Sequence, residues 1–130
     1  QSGIGRGLFP LDDYHRFERH LEHDLAAQGV PIAGSFFCPH APDAGCTCRK
    51  PAPGLFERAA AVLGAELARS YVIGDARRDA EAGLAAGCAG AAWITAERPS
   101  DLPARTQIVP DIGTAATWIL DQEQRRSLTI

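Results

Sequence analysis

A short loop near the middle of the chain carries four residues of the types that bind zinc. Three thiols and one imidazole fall within eleven residues, at Cys38, His40, Cys46 and Cys48. Alternate side chains of an extended segment point the same way, so the two ligands on each arm can bind one ion. Turn-forming residues in the Ala41 to Gly45 segment bring the arms together. The spacing predicts a closed, structural zinc site, with a coincidental set of thiols as the alternative.

Two cationic residues follow the last thiol without a gap. Arg49 and Lys50 lie between the metal ligand Cys48 and Pro51, and both neighbours restrict the backbone that carries them. A guanidinium can hold a phosphate through two parallel hydrogen bonds, and an ammonium offers a point charge to a transferring phosphoryl group. A solvated surface pair is the alternative, but the adjoining metal loop favours a phosphate-binding site.

Composition and charge exclude several classes of protein. A chain of 130 residues with 45% hydrophobic composition is sufficient for one domain, residues 1–130, and has no apolar stretch long enough to span a membrane. The net charge of −3 offers no basic surface, so neither a nucleic acid nor a membrane is an expected partner. Three of the four cysteines share one loop, which favours a metal over disulfides and a reducing, cytoplasmic location. The fourth, Cys88, is expected to be a small buried side chain.

Helical and extended patterns alternate along the chain. After a tight loop over residues 1–7, apolar spacings of three and four predict a helix from Leu11 to about Gly29. The later patterns predict, in order, a strand at 35–37, a helix at 54–63, a strand at 70–73, a helix at 78–86, strands at 91–95 and 108–109, and a helix at 114–125. This alternation indicates an α/β fold with a parallel sheet. Ligands bind at the carboxyl ends of such strands, where Cys38 and Asp75 are expected.

Two carboxylates follow the strand predicted at 70–73. Asp75 comes directly after Gly74, and Asp79 lies within or near the first turn of the next helix. An aspartate near a helix start commonly acts as a cap, which is one explanation for each of them. Beside a cationic phosphate site, Asp75 is predicted to bind magnesium. Asp79 is predicted either to support that ligand or to cap the helix.

Four segments, in this order, resemble the haloacid dehalogenase superfamily and, more closely, its zinc-bearing heptose bisphosphate phosphatases and histidinol phosphatases. They are QSGIGRG at 1–7, Cys38-Pro39-His40, CTCRKP at 46–51, and the Ile73-Gly74-Asp75 run with Asp79. The resemblance covers about residues 1 to 95, and the metal loop joined to Arg-Lys-Pro is its specific part. It implies a Rossmann-like parallel sheet of haloacid dehalogenase type without a large cap domain.

The resemblance also implies roles for individual residues. In that family one aspartate attacks phosphorus, a second acts as general acid and base, and a magnesium ion bridges them. Lys50 would hold the phosphoryl oxygens, Asp75 would bind the magnesium, and Arg49 would recognise the substrate. Gln1 and Ser2 would belong to the substrate-binding turn. The expected cofactors are a structural Zn²⁺ and a catalytic Mg²⁺.

The Asp-x-Asp motif of the family does not occur in this sequence. Gln1-Ser2-Gly3 resembles the end of the family's Thr-Asn-Gln-Ser-Gly turn, so the nucleophilic strand is expected upstream of Gln1 and the first βα unit is expected to be missing. The 130-residue chain by itself is then expected not to hydrolyse phosphate esters. Ala76 stands where the heptose enzymes can carry a basic residue that touches substrate.

Three hypotheses for function follow. The first is a magnesium-dependent phosphatase of a small sugar phosphate, acting as a monomer when full length through an aspartyl phosphate. Residues 3–7 and 53–55 look more like the heptose enzymes, and this resemblance implies the 7-phosphate of D-glycero-D-manno-heptose 1,7-bisphosphate as substrate. The five-residue gap between His40 and Cys46 instead resembles the short loop of the histidinol phosphatases, which implies histidinol phosphate. The third hypothesis, from another class, is a catalytically inactive zinc-stabilised binding domain.

Overall fold

Three parallel strands form the centre of the protein in the computed structural model, which describes residues 1–129. The strands are β1 (Tyr71–Gly74), β2 (Gly90–Ile94) and β3 (Thr106–Val109), and they lie side by side in that order. Their pairing sets Val72 beside Ala91 and Trp93 beside Ile108. The predicted α/β class with a parallel sheet is therefore confirmed, and no large cap domain interrupts it between residues 1 and 129.

Five α-helices occur within the described residues. They are α1 (Ser2–Gly5), α2 (Leu11–Ala27), α3 (Gly54–Leu63), α4 (Arg77–Ala86) and α5 (Ile112–Leu128), and a 3₁₀ turn at Leu67–Arg69 precedes β1. Helix α4 makes the crossover that parallel β1 and β2 require. It ends at Gly87, whose φ of 104° lies in the left-handed region that favours glycine. Nowhere in residues 1–129 is a helix long and apolar enough to cross a membrane.

The core has two parts because the side chains of β2 alternate between the faces of the sheet. On one face Ala91 packs in a buried cluster with Val72, Ala80 and Cys88. On the other face Ala92 packs in a buried cluster with Val109 and Ala115. Small side chains let the helices approach the sheet closely, and Cys88 is buried as predicted.

Two predictions of local structure are wrong. Residues 35–37 form no strand, because a strand needs a hydrogen-bonded neighbour and none of the strands in residues 1–129 pairs with them. Cys38 therefore does not follow a strand, whereas Asp75 does follow β1. The glycine-rich start is not simply a loop, because the N–H of Arg6 donates to the carbonyl of Ser2 at 2.9 Å and closes one helical turn.

The contact between α4 and β1 gives a stability prediction. A Cβ at Gly83 would lie 2.1 Å from Cγ2 of the buried Val72, so Gly83→Ala forces the helix and strand apart. We expect a loss of about 1–3 kcal/mol in the free energy of unfolding, despite the higher helix propensity of alanine. Urea denaturation measures this change.

Gly113 in α5 provides the matched control. A Cβ there would meet only Asp111 Oδ1, at an ordinary 3.4 Å, so Gly113→Ala is expected to be neutral or stabilising by up to about 1 kcal/mol. Equal free energies of unfolding for the two variants would contradict the proposed close packing at Gly83.

Candidate metal centre and active site

The four predicted zinc ligands converge on one point. The ligand atoms of Cys38, His40, Cys46 and Cys48 all lie within 4.8 Å of one another. Cys38 Sγ is 3.5 Å from Cys46 Sγ and 3.4 Å from His40 Nδ1, which is 3.2 Å from Cys48 Sγ. A sulfur–sulfur distance of 3.5 Å is far longer than the roughly 2.05 Å of a disulfide, so these are free thiols.

The separations fit a tetrahedral zinc ion. Zinc bonds of about 2.3 Å to sulfur and about 2.05 Å to nitrogen give tetrahedral edges of about 3.8 Å and about 3.6 Å. The three separations in the structure are a few tenths of an ångström shorter than these edges. Three cysteines and one histidine are also a donor set that zinc prefers, and four protein ligands leave no open position. The group therefore suits a structural ion held through His40 Nδ1.

The thiols do not all ionise readily without a cation. Burial opposes ionisation of Cys46, but hydrogen bonds from Cys38 and Cys48 outweigh it and lower the pKa of its thiol to about 7. Burial, together with hydrogen bonds and charge from the other two cysteines, raises the pKa of Cys48 to about 12. A divalent cation removes this conflict, because metal binding holds the ligands as thiolates and releases their protons.

Two glycines let neighbouring segments pack directly on the backbone of the metal loop. A Cβ at Gly5 in α1 would lie 2.2 Å from the backbone nitrogen of Ala41. A Cβ at Gly54, which begins α3, would lie 2.4 Å from the carbonyl oxygen of Thr47, and the Gly54 N–H donates to that same oxygen. The loop is thus held between α1 and α3. This contact also restricts the backbone of residues 49 and 50, which directly follow the loop.

A cleft of about 260 Å³ lies beside the metal loop. It contains four of the residues predicted to bind substrate: Gln1, Ser2, Arg49 and Lys50. The rest of its lining consists of Phe36, Phe37, Cys38, Cys48, Leu55 and Arg78. No carboxylate of residues 1–129 is among these lining residues, so the cleft presents three cationic side chains and suits an anion.

Lys50 is fixed by an ion pair that links the metal loop to the sheet. Its ammonium contacts Oδ1 of Asp79, and Asp79 is buried, at 7% exposure. The other carboxylate oxygen of Asp79 accepts a hydrogen bond from the backbone N–H of Ala76 at 3.0 Å. Asp79 therefore does two things at once, because it closes the start of α4 and orients Lys50. The sequence leaves helix capping and support of the Asp75 ligand as alternatives for Asp79. The structure shows the capping contact, and the support of Asp75 stays a prediction.

Gly74 is needed for this arrangement. A Cβ at position 74 would lie 2.4 Å from Cβ and 2.5 Å from Oδ2 of Asp79, so any larger residue would displace the carboxylate. Asp75 follows at the carboxyl end of β1, with its side chain exposed and its carbonyl oxygen accepting a 3.2 Å hydrogen bond from Trp93 Nε1. Asp75 does not line the cleft, and its role as a magnesium ligand stays a prediction.

Arg78 is a cleft residue that the sequence did not single out. It follows Arg77 in the first turn of α4, so two arginines are adjacent there. Arg77 forms ion pairs within the protein, with Glu81 at 2.7 Å and with Asp101 at 3.1 Å. Only the phase of α4 relative to the sheet decides which arginine reaches the cleft, and no local pattern encodes that phase.

Comparisons with known proteins establish the family of the chain. A family model described as HAD-hydrolase-like matches residues 47–115. A D-glycero-β-D-manno-heptose-1,7-bisphosphate 7-phosphatase of Bordetella bronchiseptica is 33% identical over 129 residues, a match that covers 94% of this chain and 71% of the relative. The chain belongs to the haloacid dehalogenase-like hydrolases. The resemblance seen in the sequence is thereby confirmed.

Two further members of the family are similar to this chain. A probable D-glycero-D-manno-heptose-1,7-bisphosphate 7-phosphatase of Thermoplasma acidophilum is 44% identical over 85 residues, covering 65% of this chain and 52% of the relative. A crystal structure of the B. bronchiseptica D,D-heptose 1,7-bisphosphate phosphatase, complexed with magnesium and phosphate, superposes with a TM-score of 0.83 at 32% identity. It matches over 94% of this chain and 71% of that one. The chain spans about half to seven-tenths of the length of the curated relatives it matches.

The metal centre gives the next prediction. Purified protein should contain one equivalent of tightly bound zinc, because its four ligands already lie at zinc-compatible separations. Structural zinc contributes folding free energy on the order of 10 kcal/mol in small peptide sites. Cys46→Ser should therefore lower the zinc content and the melting temperature together, measured by metal analysis and thermal denaturation.

Cys88→Ala is the control for the loss of a cysteine. Cys88 is buried in the core cluster with Val72 and lies outside the four-ligand group, so this variant should retain one equivalent of zinc. Absence of zinc from wild-type protein purified without chelators would refute the assignment.

Proposed function

We propose that this protein is a magnesium-dependent phosphatase that removes the 7-phosphate of D-glycero-D-manno-heptose 1,7-bisphosphate. The observation that carries the proposal is the cationic cleft beside the metal loop, in which Asp79 fixes the Lys50 ammonium. Relatives that bear the name of this phosphatase, matched at 33% identity over 94% of this chain, support the choice of substrate. The metal centre is assigned a structural role because its four ligands leave no open position.

Each cleft residue has a proposed task. Lys50 holds the oxygens of the phosphoryl group and stabilises the charge that they gain in the transition state. Asp79 acts through Lys50 as a positioning residue. Arg49 makes paired hydrogen bonds to the rest of the substrate. Gln1 and Ser2, at the start of α1, supply an amide and a hydroxyl that can bond to sugar hydroxyls.

Asp75 is the proposed protein ligand for magnesium. Its carboxylate is exposed at the carboxyl end of β1, where open α/β sheets bind ligands. Magnesium commonly binds through one or two carboxylates, with substrate phosphate and water completing its ligands, so a single free carboxylate fits. When bound, the ion would neutralise charge on the phosphate. The related B. bronchiseptica structure, which contains magnesium and phosphate, supports the proposal.

The residues of this chain account for binding and orientation in the reaction. Hydrolysis through an aspartyl phosphate requires a carboxylate that attacks phosphorus, an alcohol that leaves, and a water that then releases phosphate. Residues 1–130 contain no Asp-x-Asp motif, and we assign the attack to no residue among them. We also propose a cytoplasmic location, since free zinc-binding thiols are stable in a reducing compartment.

Substitution of the two adjacent cations tests the proposal in protein expressed from the complete reading frame. Lys50→Ala should lower kcat by about a hundredfold or more, because removal of one group that stabilises transition-state charge has effects of that size. Arg49→Ala should mainly raise KM and reduce the preference for heptose 1,7-bisphosphate. The measurement is phosphate release from heptose bisphosphate and from histidinol phosphate, with and without magnesium.

Arg125→Ala is the control, because Arg125 lies on the exposed side of α5 and does not line the cleft. It should retain wild-type kinetics. Faster turnover of histidinol phosphate than of heptose bisphosphate would refute the choice of substrate. Wild-type protein that binds zinc and folds, yet hydrolyses neither ester, would instead favour the inactive binding domain.

A further inference from the structure

We propose that Arg78 selects substrates that carry a second anionic group. The inference rests on the function proposed above, in which Lys50 receives the phosphate to be removed. It concerns a residue of the same cleft to which no role has yet been given. Arg78 would explain why the substrate proposed above is a sugar bisphosphate rather than a monophosphate.

The first argument is that the cleft contains two guanidinium groups besides the ammonium of Lys50. Arg49, Lys50 and Arg78 all line it, and no carboxylate of the described residues does. Asp79, which does not line the cleft, forms an ion pair with Lys50. The structure shows no hydrogen bond or ion pair from the side chain of Arg49 or Arg78 to any of residues 1–129. Two guanidinium groups are therefore available to a ligand, and guanidinium is well suited to paired hydrogen bonds with phosphate.

The second argument is the contrast within the first turn of α4. Ala76 carries no charge, and Arg77 is engaged by Glu81 and Asp101. Asp79 is buried and engaged by Lys50 and the Ala76 N–H. Arg78 alone in this turn, among the described contacts, both lines the cleft and remains without a protein partner. A cation that stabilises the fold would be expected to have a partner such as those of Arg77.

The third argument is the arrangement of the cations along the chain. Lys50 and Arg49 leave the metal loop, whereas Arg78 belongs to the helix after β1, so the cleft has cationic groups on two separate elements. A ligand with two anionic groups can contact both elements at once. A monoester bound at Lys50 lacks the second contact, so its affinity should not depend on Arg78.

Equilibrium binding separates these possibilities. Zinc-loaded protein from the complete reading frame is titrated calorimetrically in magnesium-free buffer, where the proposed magnesium dependence prevents turnover. The probes are heptose 1,7-bisphosphate, heptose 7-phosphate and inorganic phosphate. Arg78→Ala should weaken binding of the bisphosphate by about tenfold or more, the effect of losing a hydrogen bond to a charged group, and Arg78→Lys should recover part of it. Affinities for the other two probes should stay within about twofold, since neither is predicted to contact Arg78.

Arg125→Ala removes the same charge from the exposed side of α5 and should leave all three affinities unchanged. An equal loss in Arg125→Ala and Arg78→Ala would overturn the inference in favour of a general charge effect. So would a loss in Arg78→Ala that is equal for all three probes. If no probe binds, or if Lys50→Ala leaves the affinity for phosphate unchanged, the function proposed above is contradicted. The inference about Arg78, which rests on that function, is then contradicted as well.

Discussion

The convergence of four zinc-type ligands on one point is the constraint on which the rest of the site depends. Residues 38–48 contain no helix or strand, so no regular ladder of backbone hydrogen bonds fixes the loop. The ligands converge to within 4.8 Å, and glycines at positions 5 and 54 let α1 and α3 pack on the loop backbone. Arg49 and Lys50 begin directly after the last ligand, so the loop determines where their charges lie.

The sheet supplies the other half of the site, and one ion pair joins the two halves. Asp79 is buried at the start of α4, accepts the Ala76 N–H, and contacts the Lys50 ammonium. Gly74 leaves the space that this carboxylate occupies. The same helical turn holds Arg77 in structural ion pairs and leaves Arg78 at the cleft. The four-ligand loop and the parallel sheet thus position one set of positive charges in a cleft that suits an anion.

The sequence predicts the features that depend on local spacing. Two ligands lie two residues apart on each arm of a short loop, and few loop conformations bring all four together. The convergence of the four ligands therefore follows from their spacing. The sequence also predicts the segments around β1, α4 and β2, because apolar periodicity and glycine stops are local signals. The prediction of a strand at 35–37 is wrong, because a strand forms only with a pairing partner that is distant in sequence. The sequence does not single out Arg78 as a cleft residue. Arg77 and Arg78 are adjacent residues of the same type, and only the packing of the helix decides which of them lines the cleft.

The central claim is that the zinc ion holds the phosphate-binding cations in place. Its most direct test is the dissociation constant for inorganic phosphate, measured on the same protein with zinc bound, after removal of zinc, and after zinc is restored. The account predicts that removal weakens phosphate binding by about tenfold or more, the scale of one lost charge-assisted hydrogen bond, and that zinc restores it. An unchanged dissociation constant in protein shown by metal analysis to be free of zinc would contradict the account.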